Sequence, residues 1–228
     1  MSLTIKNTKH KELMRSVAGV LKIRQGNKKF ISNASIIKGI SEPLVVTAAH
    51  CVFDWYEQLY ANEIVFISDS GQKYEIDKSF MSSNWTSNGI VDHDTAFLTL
   101  KKPPVNQDAF IEPIFNNKSK KNQAIIPYFR RGILRSKKRE IVTGKTFEDH
   151  IHKSTLLGLK DRMGVGSSGS PWITERENKF FQFSNTSLSF QSAKDTIWGP
   201  FWGEHIESIF LNACCHEKRF ENIEIHNF

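Results

Sequence analysis

Short β-branched and aromatic runs, broken by polar turns, occupy the chain from about Ser16 to Leu100. They predict strands over Val17–Ile23, Phe30–Ile37, Leu44–Thr47, Ile64–Ser68, Lys73–Ile76 and Ala96–Leu100. Gln25-Gly26-Asn27, Ser41-Glu42-Pro43 and Ser70-Gly71 supply turn chemistry between them. Strands this short and closely spaced point to a barrel or sandwich and away from βαβ units. Lys101-Lys102-Pro103-Pro104 closes this half, because paired prolines remove ladder donors and hold an extended connection. The second half repeats the style at Ala124–Phe129, Arg139–Val142, Thr155–Leu159, Ser170–Thr174 and Phe180–Phe183. Helix enters late. Within His205–Phe220, the residues Ile206, Ile209, Phe210, Ala213 and Cys214 recur at three and four and so share one face. A short helix is also predicted after His50, over Phe53–Tyr60.

With 228 residues, 39% of them hydrophobic, the chain can bury a real core as one domain or two small subdomains, which excludes disorder for most of its length. No apolar run is long enough to span a bilayer, and Met1–Met14 is polar and basic without the apolar stretch of a secretory signal. Three cysteines, Cys51, Cys214 and Cys215, make an odd count with two adjacent, which suits a reducing compartment better than a disulfide framework. The expectation is a cytoplasmic protein with no membrane partner. Cys214, Cys215 and His216 together with His205 lack the spaced pairs of structural zinc sites, so no metal is expected.

The net charge of +7 is concentrated. Between Phe129 and Lys145 stand Arg130, Arg131, Arg135, Lys137, Lys138, Arg139 and Lys145 against Glu140 alone. This run reads as an exposed loop or β-hairpin with solvated cations. The absence of an RNA-binding aromatic signature beside it argues against nucleic acid. Trp198-Gly199-Pro200-Phe201-Trp202-Gly203 carries so much aromatic area that burial over the second half is its default.

Three segments carry candidate chemistry: Thr47-Ala48-Ala49-His50-Cys51, Asp94-Thr95-Ala96-Phe97-Leu98 and Gly166-Ser167-Ser168-Gly169-Ser170-Pro171. A serine hydroxyl is a poor nucleophile at neutral pH. Acyl transfer needs an imidazole to take its proton and a carboxylate to hold that imidazole in the right tautomer. Glycines beside the serine let the backbone turn sharply and aim N–H groups at a developing oxyanion. Asp92 competes with Asp94 for the carboxylate role, and the apolar alternation after Asp94 favours the latter.

In these three motifs and their order the sequence resembles the chymotrypsin-like serine proteases, over roughly Val17 to Phe190. The resemblance implies two packed antiparallel six-stranded β-barrels followed by a C-terminal α-helix. The chain would then divide into a basic arm (1–15), an N-terminal barrel (16–103), a C-terminal barrel (104–203) and a helix with tail (204–228). It further implies His50 as general base, Asp94 as its orienter, Ser168 as nucleophile, and the N–H groups of Gly166 and Ser168 as oxyanion hole, acting on a protein or peptide substrate without a cofactor.

Departures from the family pattern narrow this reading. The position before the nucleophile, an Asp in members activated from zymogens, is Ser167 here, which cannot pair a buried ammonium in the same way. In this respect the Gly-X-Ser-Gly-Ser-Pro segment resembles bacterial glutamyl-endopeptidase-like and viral processing proteases. Cys51 stands where the family often has a disulfide cysteine, but no cysteine precedes it. In the family the residue six before the nucleophile lies at the base of the pocket for the side chain preceding the scissile bond; by that resemblance Arg162 would stand there and favour an acidic group, unless a one-residue loop difference puts Asp161 or Met163 in its place or Arg162 points to solvent. Ser184 and Thr186, in Ser184-Asn185-Thr186-Ser187, would line that pocket's wall. An intracellular protease without a zymogen switch needs restraint, by narrow specificity or by an activating or inhibiting partner, as in bacterial stress or antiviral defence or viral processing. The rival is a catalytically silent module of the same fold that binds an acidic partner or nucleic acid.

Overall fold

In the computed structural model, which describes residues 8–105, 110–117, 119–131, 137–164, 166–216 and 222–228, helix α1 (Thr8–Val17) leads into eight strands. These are β1 (Ala18–Gln25), β2 (Lys28–Ile37), β3 (Leu44–Thr47), β4 (Phe53–Asp54), β5 (Leu59–Tyr60), β6 (Glu63–Ser68), β7 (Lys73–Ser82) and β8 (Ala96–Leu100), with a short helix α2 (Ser83–Asn88) between the last two. The order β6-β1-β2-β3-β8-β7 closes because β7 pairs with both β6 and β8, giving a six-stranded antiparallel barrel. Closure leaves the C-terminal part of β7 with an open edge and encloses Leu21, Ile23, Ile36, Val45, Phe66 and Leu98.

The second half contains β9 (Glu112–Pro113), β10 (Gln123–Arg131), β11 (Lys137–Lys145), β12 (Phe147–Glu148), β13 (Leu157–Lys160), β14 (Pro171–Arg176), β15 (Lys179–Asn185) and β16 (Thr196–Gly199). A five-stranded sheet, β11-β10-β14-β15-β9, and a three-stranded sheet, β12-β13-β16, share a core of Ile126, Leu157, Leu159, Trp172, Phe183 and Ile197. Between the halves, Val46 and Phe97 of the first meet Ile125 and Ile173 of the second, with Trp202 and Phe210 completing the cluster. Phe210 belongs to α3 (Glu204–Cys215), which packs against β7 and β8. The fold is therefore mostly β with a helix near the C-terminus, as the motifs implied. Among the described residues no helix is long and apolar enough to cross a membrane.

Several local expectations differ. The predicted helix over Phe53–Tyr60 is a hairpin of β4 and β5. Asp54 Oδ1 accepts from the N–H groups of Tyr56 and Glu57, which turns the chain, and Phe53 packs on Tyr60 with ring centroids 4.7 Å apart. The basic N-terminal arm is helical from Thr8 to Val17. Helix α3 ends at Cys215 because His216 takes the left-handed conformation at φ +55°; positions 217–220 of the predicted helix lie outside the described residues. The tail then forms β17 (Ile223–Asn227), which adds to β7 of the first half. Of the basic run, Arg135 lies outside the described residues, and the flanking segments form the β10–β11 hairpin. Trp198 and Trp202 are both buried.

Candidate active site

The chain leaves β3 at Thr47 and tightens into a single 3-10 turn, Ala49–Cys51, which brings His50 to a cleft of about 720 Å³. A second such turn, Val91–His93, precedes Asp94, whose side chain is 1% exposed at the start of β8. Oδ1 of Asp94 accepts from the His50 N–H at 2.8 Å, while Oδ2 lies 2.8 Å from His50 Nδ1 and also accepts from the Ser187 hydroxyl. An ionised carboxylate only accepts, so in the neutral ring Nδ1 carries the proton and the lone pair of Nε2 is left free. Asn185 completes the support: its Nδ2 donates to the Asp94 carbonyl at 3.1 Å, and its Oδ1 accepts from Thr95 Oγ1 at 2.7 Å. Asp92 instead accepts from the N–H and hydroxyl of Thr155, tying a second-half loop to the turn before Asp94.

This pairing sets the charges. Burial disfavours the Asp94 carboxylate, yet His50 beside it and the hydrogen bonds from His50 and Ser187 hold its pKa below the usual range. For His50, burial works against the cation, but the attraction of Asp94 and the adjacent Cys51 raise its pKa well above 6.5.

Ser168 lies on the loop between β13 and β14, where Gly166 takes φ +95° and Gly169 φ +78°. A Cβ at Gly169 would run into the Asn33 carbonyl and the Thr47 hydroxyl, so that position needs glycine for space as well as for backbone conformation. The loop is bound down onto β2. The Asn33 N–H and Ser32 Oγ both donate to the Ser168 carbonyl, at 2.9 and 2.8 Å, and Asn33 Nδ2 donates to the Gly166 carbonyl at 2.6 Å. With these carbonyls turned into the protein, the N–H groups of Gly166 and Ser168 have no acceptor among the described residues. Ser168 and Gly166 line the same cleft as His50.

Ser32 also explains how the site manages without a disulfide beside the histidine. Its Oγ is 2.9 Å from Cys51 Sγ, across a separation of 19 residues. Ser32→Cys should therefore form a bridge with Cys51 on oxidation. Loop closure predicts about 3 kcal/mol of stabilisation, less about 1 kcal/mol for the lost Ser32–Ser168 hydrogen bond. A thiol titration alongside thermal melting in oxidant checks this; unchanged free thiols after oxidation would refute it.

The specificity positions are not where the motif count puts them. Arg162 is exposed and does not line the cleft, while its neighbour Met163 is buried in the second-half core. Ser184 and Thr186 are buried as well: the Ser184 hydroxyl donates to the Pro200 carbonyl at 2.7 Å, and Thr186 Oγ1 accepts from the Trp172 indole at 2.9 Å. Both side chains serve the core, which corrects the expectation that they line a pocket wall. Ser187 is the serine of this segment that reaches Asp94. Nothing local distinguishes it from Ser184: Ser184 sits on β15 just past a register shift that leaves Phe183 without a partner on β14, whereas Ser187 follows the strand and its N–H donates to the Trp198 carbonyl at 2.9 Å.

A second Ser-His-Asp arrangement lies apart from the cleft. His152 Nδ1 is 3.1 Å from Asp149 Oδ1, and His152 Nε2 is 3.0 Å from Ser192 Oγ. Asp149 also accepts from the N–H groups of Ile151, His152 and Ser154 and from the Ser154 hydroxyl. His152 stacks on Phe190 at 3.8 Å. With its acceptors taken up by the loop backbone, this carboxylate works as a clasp between residues 149–154 and 190–192.

Known proteins share the architecture. The family profile described as Trypsin matches residues 14–133. No curated protein sequence matches the chain. Among solved structures, the chain is similar to the protease Anisep from Arthrobacter nicotinovorans, at 21% identity over 89% of this chain and 97% of that one, with a TM-score of 0.77. It is also similar to the thermostable serine protease AL20 from an extremophilic microorganism, at 21% identity over 88% and 98% with a TM-score of 0.78. A Glu endopeptidase aligns at 15% identity over 94% and 96%, with a TM-score of 0.72.

Proposed function

The chain belongs to the trypsin family and is a chymotrypsin-like serine endopeptidase, and from that premise we propose that His50, Asp94 and Ser168 carry its chemistry. Ser168 Oγ attacks a peptide carbonyl while His50 Nε2 takes the hydroxyl proton, and Asp94 steadies the imidazolium that forms. The N–H groups of Gly166 and Ser168 receive the oxyanion. As the tetrahedral species collapses, His50 returns its proton to the leaving amine, and water then releases the acyl group from Ser168 by the same steps in reverse. The observation that carries this reading is the double hold of Asp94 on His50, through both the ring and the backbone N–H, in a cleft that also presents Ser168. His50 Nε2 and Ser168 Oγ are not hydrogen-bonded to each other, and catalytic contacts of this kind often tighten only when substrate binds.

A fluorophosphonate probe tests the reading, because it reports an activated serine and a formed oxyanion hole without a known substrate. The isolated chain should gain one adduct by intact mass, mapping to the peptide that contains Ser168. A folded sample that takes up no probe would overturn the proposal in favour of a silent module or a site that a partner completes.

A further inference from the structure

The cleft that holds His50 and Ser168 does not stop at them. It continues across the outer face of the first barrel, where period-two alternation turns Lys22 and Arg24 of β1 outward beside Ile31 and Lys29 of β2. Cross-strand register places Lys22 opposite Ile31 and Arg24 opposite Lys29. Two cations directly opposite one another repel. Glu63 on β6 offsets one of them, pairing with Arg24 at 3.2 Å, while Lys22 and Lys29 have no ion pair among the described residues. From the second half, Phe129 and Arg130 of the β10–β11 hairpin form the opposite wall, with Arg130 only 3.9 Å from its nearest carboxylate, Glu140. Ile31, 48% exposed, and Phe129 supply an apolar floor between these charges.

We propose that this groove binds acidic residues of the substrate on the C-terminal side of the scissile bond, with Lys22, Lys29 and Arg130 as the specificity-determining contacts. The proposal rests on the reading of Ser168 as nucleophile. Ser32 and Asn33 hold β2 against the Ser168 carbonyl, so a substrate strand that leaves the serine on this side runs over Ile31 and Lys29 of the same cleft. An extended polypeptide with alternating acidic and apolar side chains matches cations at the rim and an apolar floor. The groove is continuous with the reacting serine, and its volume falls within the ~300–1,000 Å³ of built ligand pockets. An anion bound there would also offset Lys22 and Lys29, the cations without an ion pair among the described residues.

The test uses one internally quenched peptide that the protein cuts, prepared with three Glu or with three Lys at the second to fourth positions after the cut bond. At low ionic strength the Glu form should be cut about tenfold faster in kcat/KM, an advantage that fades in ~0.5 M salt. The triple variant Lys22→Glu, Lys29→Glu, Arg130→Glu should invert the ratio, a change that a merely damaged fold would not produce. Equal rates for the two peptides in the unmodified protein, or the same ratio in the variant, would overturn the proposal. A parallel arm measures fluorescence anisotropy of the two labelled peptides on Ser168→Ala protein, so the groove is judged even if fluorophosphonate labelling fails. Glu-peptide binding should exceed Lys-peptide binding there. Tighter binding of an oligothymidylate of matched charge would reassign the groove to nucleic acid and sink the substrate proposal.

Discussion

Ser168→Ala should lower turnover about 10⁶-fold and leave the thermal midpoint within a few degrees of the unmodified chain. The asymmetry follows from what the side chain touches. The loop around position 168 is held through its carbonyl, by Ser32 Oγ and the Asn33 N–H, and through the Gly169 N–H on the Thr186 carbonyl at 2.8 Å. None of these contacts uses Ser168 Oγ. Removing that oxygen takes away the nucleophile and leaves the hydrogen-bonded frame, including the N–H groups of Gly166 and Ser168, in place. Residual hydrolysis of about 10³–10⁴-fold over water is expected from oxyanion binding and substrate positioning alone. Steady-state kinetics on a cleavable peptide, paired with a thermal melt, checks both parts. Turnover within tenfold of the unmodified chain would show that another residue attacks the substrate.

Asp94→Asn should cost about 10⁴-fold in kcat/KM with little change in fold, for a reason specific to this carboxylate. Both of its oxygens are occupied by donors: the His50 N–H on Oδ1, and the His50 ring and Ser187 hydroxyl on Oδ2. Asparagine offers one acceptor oxygen. If that oxygen keeps the backbone N–H, the amide NH₂ faces His50 Nδ1 and forces the ring proton onto Nε2, the atom that must be free to accept. The pH profile separates this effect from a merely structural loss. His50 must be neutral to act as a base, and its pKa is raised well above 6.5, so activity of the unmodified chain should climb along a limb centred above 6.5. Without the Asp94 charge, burial is left to disfavour the imidazolium and the limb should move down. An Asn variant that keeps a tenth or more of the activity, or an unmoved limb, would contradict the role assigned to Asp94.

Much of this geometry was legible in the sequence because it is encoded locally. Leu44–Thr47 and Ala96–Leu100 are strands with the predicted bounds, since each is a short apolar run between strong turn or polar boundaries. The three motifs around His50, Asp94 and Ser168 stand out for the same reason: a strand end, a turn and a glycine pair each impose their residue types within a few positions. The face of α3 was legible too, with Ile206, Ile209, Phe210, Ala213 and Cys214 all buried.

What local pattern left open was settled by long-range pairing. Phe53–Tyr60 is open to a short helix, but the Asp54 turn and the Phe53–Tyr60 contact win it for a hairpin. The tail from Ile223 reads as a remainder until β7, some 140 residues earlier in the chain, offers it an edge. Ser184 and Ser187 are equivalent as letters, and only the register shift within β15 and the pairing of the Ser187 N–H with the Trp198 carbonyl turn one into the core and the other onto Asp94. Arg162 could be counted from Ser168, but exposure depends on how the loop packs, and Met163 takes the buried place beside it. The basic groove is the same case: the β1–β2 hairpin brings Lys22 and Lys29 to one face, but only the docking of the β10–β11 hairpin adds Arg130 to the same cleft. The sequence by itself determined the fold class and the residue types of the candidate reacting groups, because alternation, turn chemistry and motif spacing act over a few residues. Tertiary structure alone decided which side chains surround them, because strand register and sheet closure depend on contacts far apart in the chain.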